Sequence, residues 1–100
     1  MTACPKPKTY RSKAWLAAVR SISECKVCFS TVAVEAAHIN MGKGMGMKTH
    51  DCWTAAICHE CHVQLDQGKT YTRDERRAIL DRAVLLTLAE LALNGKVAPT

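Results

Sequence analysis

Two Cys-x-x-Cys pairs, Cys25/Cys28 and Cys58/Cys61, constrain this chain more than any other feature. The chain has 100 residues, one domain's worth. Only 5% of them are aromatic, so the core must be aliphatic and small. Such a chain commonly needs a metal, a disulfide or a partner chain to hold it. Apolar residues make up 48% and charged residues 23%, a globular mix that excludes disordered and low-complexity classes. Apolar runs such as 83–86 are far too short to span a bilayer. Residues 1–20 are basic and hold only short apolar stretches, unlike a secretory leader. The expectation is a cytosolic protein with reduced thiols, whose paired cysteines bind metal.

Four thiolates suit the tetrahedral preference of Zn²⁺, and four protein ligands leave no position open for chemistry, so this zinc is structural. It would tie a knuckle at 25–28 to the start of a helix at 58–61, as in a treble-clef finger. A thioredoxin-like redox pair is the alternative, but the βαβ context it needs is absent; an iron–sulfur cluster is another. Cys4 is expected to be a free thiol, and Cys52 a small apolar side chain.

The net charge is +5. Lys6, Lys8, Arg11, Lys13 and Arg20 all precede the first acid, Glu24, so the basic character lies at the front of the chain. A basic arm points to a polyanion, most commonly nucleic acid; the bland alternative is a solvated tail.

Residues 1–10 read as an extended basic arm, because Pro5 and Pro7 oppose a helix. A helix follows from Ser12 as N-cap, with Trp15, Leu16, Val19 and Ile22 at helical spacing. The spacing predicts a strand over 31–39 ending near His38, a glycine-rich loop over 40–48, a second strand over 54–57, and a helix over 59–67 stopped by Gly68. Thr72 and Glu75 match a capping box, opening a helix that runs to about Leu93 with Gly95 as terminator. Its second half, 83–93, is apolar on almost all sides, which predicts burial all round and a homodimer through this helix. The expected organisation is an arm over 1–10, a zinc-stabilised core over 11–68, and a C-terminal helix in 69–100 packed on the core or on a partner subunit.

His62 directly follows Cys61, and Asp66 lies one helical turn further on. Positions i and i+4 share a face, so both can grip one ion. Imidazole plus carboxylate suits Mg²⁺, Mn²⁺ or a second Zn²⁺ and leaves room for water and phosphate. The run of Cys-x-x-Cys, Ala37-His38-Ile39, Gly44-Met45-Gly46-Met47-Lys48-Thr49-His50-Asp51 and Cys-x-x-Cys-His-x-x-x-Asp resembles the phage and prophage HNH-type nucleases related to YbcO and to Ref, a RecA-dependent nuclease. The resemblance covers about 10–67.

The resemblance implies a small α+β fold, a ββα-metal (HNH-like) core on a treble-clef zinc scaffold, with an N-terminal helix and a long C-terminal helix. It implies that His38 activates water, that His62 and Asp66 hold the catalytic ion, and that Asp51 fills the middle position of the signature. Where many relatives carry an Asp or His ligand just before the strand-end His, this chain has Ala37, which leaves the ligand set one short. Asp51 is one candidate to supply it, or His38 turns ligand; Glu35 lies on the same strand face as Ala37 but one step back, and carries little weight.

The implied activity is metal-dependent hydrolysis of DNA phosphodiester bonds in recombination or DNA processing, in the cytoplasm of a bacterial host. DNA, bare or RecA-coated, is the implied partner. The metal would neutralise oxygens as charge develops, and an imidazole suits proton removal at neutral pH. Lys6, Lys8, Arg11, Lys13, Lys43 and Lys48 would neutralise phosphates. Two competing readings are a catalytically inactive zinc module that binds DNA or a recombination protein, and an adaptor that touches only protein. His50 and His59 read as surface residues or secondary DNA contacts.

Overall fold

A computed structural model of the chain describes residues 9–39 and 50–96. Lys6, Lys8, Lys43, Lys48, Cys4 and the glycine-rich loop lie outside the described residues. The order is α1 (Lys13–Arg20), β1 (Val34–His38), β2 (Thr54–Cys58), α2 (His59–Gln67) and α3 (Arg73–Leu93). It is a small α+β protein, and every expected element within the described residues is present.

Each helix starts where a side chain can replace a missing backbone partner. Ser12 Oγ accepts the Trp15 N–H at 3.0 Å and opens α1. Thr72 Oγ1 accepts from the Glu75 N–H at 3.1 Å while Glu75 Oε1 accepts from the Thr72 N–H at 2.8 Å, the reciprocal capping box of α3. At the far end of α3, Gly95 takes a left-handed conformation (φ 72°). Its N–H reaches the Ala92 carbonyl, and the Lys96 N–H reaches the Leu91 carbonyl, the two bonds of a Schellman stop.

The strands pair antiparallel from Val34↔Cys58 to His38↔Thr54. The strand expected over 31–39 is therefore shorter. Beyond Val34 it has no partner, because Cys58 turns out of β2 to become the N-cap of α2, its Sγ accepting the Cys61 N–H at 3.5 Å. All five residues of β2 are buried. Alternation along the strands puts Ala37, Ala55 and Ile57 with Cys25, Cys58 and Ala83. Ala56 goes with Val19, Ile22 and Leu91, and Val34 and Ala36 pack against that second cluster.

A two-stranded sheet leaves β2 with an open edge, and an open edge exposes unpaired backbone groups. Here that edge is closed from both sides. The Ala56 N–H donates to Thr87 Oγ1 at 2.9 Å, whose hydroxyl donates to the Ala83 carbonyl at 2.7 Å. The Ala56 carbonyl accepts the Lys26 N–H at 2.8 Å. The Lys26 ammonium, itself buried, pairs with Glu24 and with Glu90 of α3. The cysteine knuckle, β2 and α3 are thus joined by polar bonds as well as by packing.

Burial of 83–93 all round is not what α3 does. One stripe goes inward: Ala83, Thr87 and Leu91, at i, i+4 and i+8. Leu85, Leu88 and Leu93 face out; Leu91 is 1% exposed and Leu93 87%. The sheet offers α3 only the width of one small strand, so a single stripe is all that it can cover.

Candidate metal centre and histidine–carboxylate groups

The sequence-predicted zinc ligands come together. Cys25, Cys28, Cys58 and Cys61 place their sulfurs within 4.8 Å of one another. The Cys28 and Cys58 sulfurs are 3.8 Å apart. A tetrahedron with Zn–S bonds of about 2.3 Å has S···S edges of about 3.8 Å, which the Cys28–Cys58 edge matches, so the donor set suits this ion. Each pair is shaped by backbone N–H groups turned onto sulfur. Val27 and Cys28 N–H donate to Cys25 Sγ at 3.3 and 3.4 Å, as Cys61 N–H does to Cys58 Sγ. Phe29 closes the first knuckle in the left-handed region (φ 62°), with its N–H on the Cys25 carbonyl at 2.9 Å. That conformation is costly for a bulky residue, and the turn imposes it.

The thiols do not titrate alike. The Ser30 hydroxyl and backbone beside Cys28 pull its thiol down to about 6. Burial and the neighbouring thiols push Cys61 far up. Sulfurs this close cannot all carry charge unless a cation shares it. A cavity of about 460 Å³ opens beside the quartet, lined by Cys28, Cys58 and Cys61 with Val32, Leu65 and Tyr71 among others.

His38 sits at the other end of the hairpin. Its Nε2 is 3.0 Å from Asp51 Oδ1. Asp51 lies in the turn before β2, where its carbonyl accepts the Thr54 hydroxyl and its N–H donates to the Tyr10 carbonyl. Its Oδ1 also accepts from Arg11 at 3.0 Å, and its Oδ2 from the Ser12 N–H at 2.8 Å. The carboxylate is 6% exposed, and His38, then the Ser12 N–H and Arg11, hold its pKa below the ordinary value. Both oxygens of Asp51 are thus engaged, and one of them meets His38. Arg11, expected as a phosphate contact, is the residue that balances this charge. The Tyr10 N–H on His50 Nδ1, at 2.8 Å, completes the clasp that seats the start of α1 beside His38.

His62 belongs to a different group. Its Nδ1 lies 2.7 Å from Glu35 Oε1, and the Nδ1 of His59 lies 2.9 Å from Glu35 Oε2. His62, then His59, lower the Glu35 pKa. Glu35 and His38 are three residues apart on β1, about 10 Å along a strand and on opposite faces. Among the described residues, the cysteine quartet is the only set of three or more such ligands drawn within 4.8 Å. His38, His62, Asp51 and Asp66 are therefore not gathered at one point: His38 is joined to Asp51, and His62 to Glu35.

Glu35 and His59 are the participants that sequence reasoning undervalued. The available signal was spacing. His59, His62 and Asp66 recur at i, i+3 and i+7 on α2, one stripe beside the inward stripe of Cys58, Cys61 and Leu65.

No curated protein and no solved structure matches the chain. The model of a family described as a protein of unknown function, DUF968, matches residues 1–77. That span holds both cysteine knuckles, both histidine–carboxylate groups and all of α2, and the chain belongs to the DUF968 family.

Proposed function

We propose that this protein is a zinc-anchored, metal-dependent endonuclease that hydrolyses DNA phosphodiester bonds, with an HNH-like ββα core on a treble-clef scaffold. The observation that carries the reading is the His38–Asp51 pair. A carboxylate that holds one imidazole nitrogen fixes the ring and supports the imidazolium that forms when the other nitrogen takes a proton. His38 is 35% exposed, so it can meet water, while Asp51 is sheltered. The β–β–α order that follows the first knuckle and the strand-end position of His38 agree with the resemblance described above.

In this reading the four cysteines hold zinc and fix the hairpin against α2. His38 takes the proton of the attacking water. His62, with Asp66 one turn further on as its expected partner, would hold the catalytic ion, which would supply charge neutralisation at the phosphate. His38, the Ser12 N–H and Arg11 together hold Asp51 ionised, and Lys13, at the start of α1, faces the DNA backbone. DNA, with or without a RecA filament, is the substrate.

One observation favours a second reading, a zinc module that binds DNA without cutting it: His38 and His62 are bonded to separate carboxylates. A supercoiled-plasmid nicking assay with Mg²⁺ or Mn²⁺ separates the two. Nicking that His38→Ala and Asp51→Asn both reduce supports the nuclease. Retarded DNA migration with no nicking, at any metal concentration and with or without RecA, establishes the binding module.

A further inference from the structure

We propose that Glu35, His59 and His62 form a second cation site, distinct from the cysteine quartet, that takes a borderline divalent metal ion. Metal binding at this trio does not depend on the nuclease reading, because Glu35 lies on the opposite face of β1 from His38.

The argument starts from the face of β1. Glu35 and Ala37 alternate onto the same side of the strand. A side chain at 37 has only a methyl group to offer. Glu35, two residues back, carries a long side chain, and its carboxylate spans the gap to α2: one oxygen meets His62 and the other meets His59. Two imidazoles and one carboxylate are the donor chemistry of zinc, manganese and cobalt sites. Oxygen and nitrogen ligands at adjacent corners of such an ion, each about 2.1 Å from it, stand about 3.0–3.4 Å apart. The observed 2.7 and 2.9 Å, each to a different oxygen of Glu35, are shorter than that spacing, so the ligands must part somewhat to admit an ion. An ion entering between the carboxylate and the His62 ring replaces that hydrogen bond, and bringing in the second ring requires His59 to move.

The trio is less tightly drawn than the thiolates, whose sulfurs lie within 4.8 Å of one another. The adjustment it needs falls on His59, whose side chain is 76% exposed and free to turn. The other half of the site is already fixed. Cys61 pins α2 immediately before His62, and Cys58 pins it immediately before His59. The closed centre thus sets the orientation of the open one. Asp66, one turn beyond His62 on the same stripe, is the competing ligand.

The test is titration of the 100-residue protein, first loaded with one equivalent of zinc, with Co²⁺. The expected result is one further Co²⁺ per chain, with the weak d–d bands of nitrogen and oxygen ligation and no sulfur charge-transfer band. Glu35→Gln and His59→Ala should each weaken this second site at least about tenfold, and leave the zinc in place. Absence of a second ion overturns the proposal. So does a second ion indifferent to Glu35→Gln and His59→Ala and lost in Asp66→Asn; that result returns the ion to His62 and Asp66 and leaves the nuclease reading standing. A second ion sensitive to Glu35 in a protein that never nicks DNA supports the site and removes the nuclease reading.

Discussion

The two ends of the β1–β2 hairpin carry opposite kinds of chemistry. At the Val34↔Cys58 end, four sulfurs close on one point, partly buried and tied by backbone N–H groups. At the His38↔Thr54 end, an imidazole meets solvent while a sheltered carboxylate holds it from behind. The first arrangement spends all its ligands on position. The second leaves one nitrogen of His38 with no partner among the described residues. The comparison separates what holds the fold from what remains available to react, although both are built from polar groups on the same ten strand residues and their flanking turns.

The largest expected effect is at the closed end. Removing a ligand by Cys25→Ser, or removing metal with a chelator, should unfold the protein. Structural zinc contributes on the order of 10–16 kcal/mol, against about 5–15 kcal/mol for the whole stability of a domain, so this core cannot absorb the loss. Circular dichroism and a melting curve with and without chelator decide it. A chelated protein that keeps its helices and its melting temperature would mean that aliphatic packing alone supports the hairpin.

The open end should behave in the opposite way. His38→Ala should reduce DNA nicking by about 10²–10⁴-fold, the usual worth of a positioned general base, while the melting temperature falls far less than in Cys25→Ser, because Asp51 keeps its bonds to Arg11 and the Ser12 N–H. If nicking exists and His38→Ala leaves it intact, His38 is a structural partner of Asp51 and the contrast between the two ends disappears.

How far the sequence reveals each end follows from how local its signal is. The four cysteines are legible because Cys-x-x-Cys is a local spacing with one dominant use in a reduced protein. So are the Ser12 cap and the Thr72–Glu75 box, where donor and acceptor are three residues apart. The Asp51–His38 pairing is only half legible: the resemblance marks both residues, but only the fold shows that Arg11 and the Ser12 N–H complete the carboxylate's bonds. Glu35 meeting His59 and His62 depends on β1 lying against α2, and no short-range pattern reports that. The second half of α3 misleads for a physical reason. Composition counts leucines, whereas burial depends on how much surface a two-stranded sheet can offer, and Thr87 is buried because the edge of β2 needs a hydroxyl there.

An intermediate effect is expected where the two roles overlap, at Asp51. Asp51→Asn should reduce nicking less than His38→Ala, because the imidazole remains. It should also lower stability by about 1–3 kcal/mol, since bonds from Arg11 and the Ser12 N–H weaken. The pH dependence identifies the cause. Asp51 has a folded pKa below the ordinary carboxyl value of 3.8. Its stabilising contribution is therefore fully present above that value and is lost as pH falls through the lower, folded pKa. Metal release in acid affects parent and variant alike, so the difference between their stabilities should be constant above about pH 5 and shrink below pH 4. A difference that does not change with pH would mean that the carboxylate charge is not what Asp51 contributes.

The smallest effect tests whether the division between closed and open extends to α3. Leu91, on the inward stripe, should cost about 2–5 kcal/mol when cut to Ala, as buried leucines do. Leu85, 66% exposed, should cost within about 0.5 kcal/mol on the same change. The two residues lie on one helix, six positions apart, with equal side chains and equal helix propensity, so the difference reports the surface each one meets. Denaturant unfolding of Leu91→Ala and Leu85→Ala, fitted with a common slope, measures it. If Leu85→Ala proves as costly as Leu91→Ala, the outer face of α3 is covered in solution. Its cost should then fall as protein concentration is lowered when a second copy is the cover, and stay constant when the cover comes from the same chain.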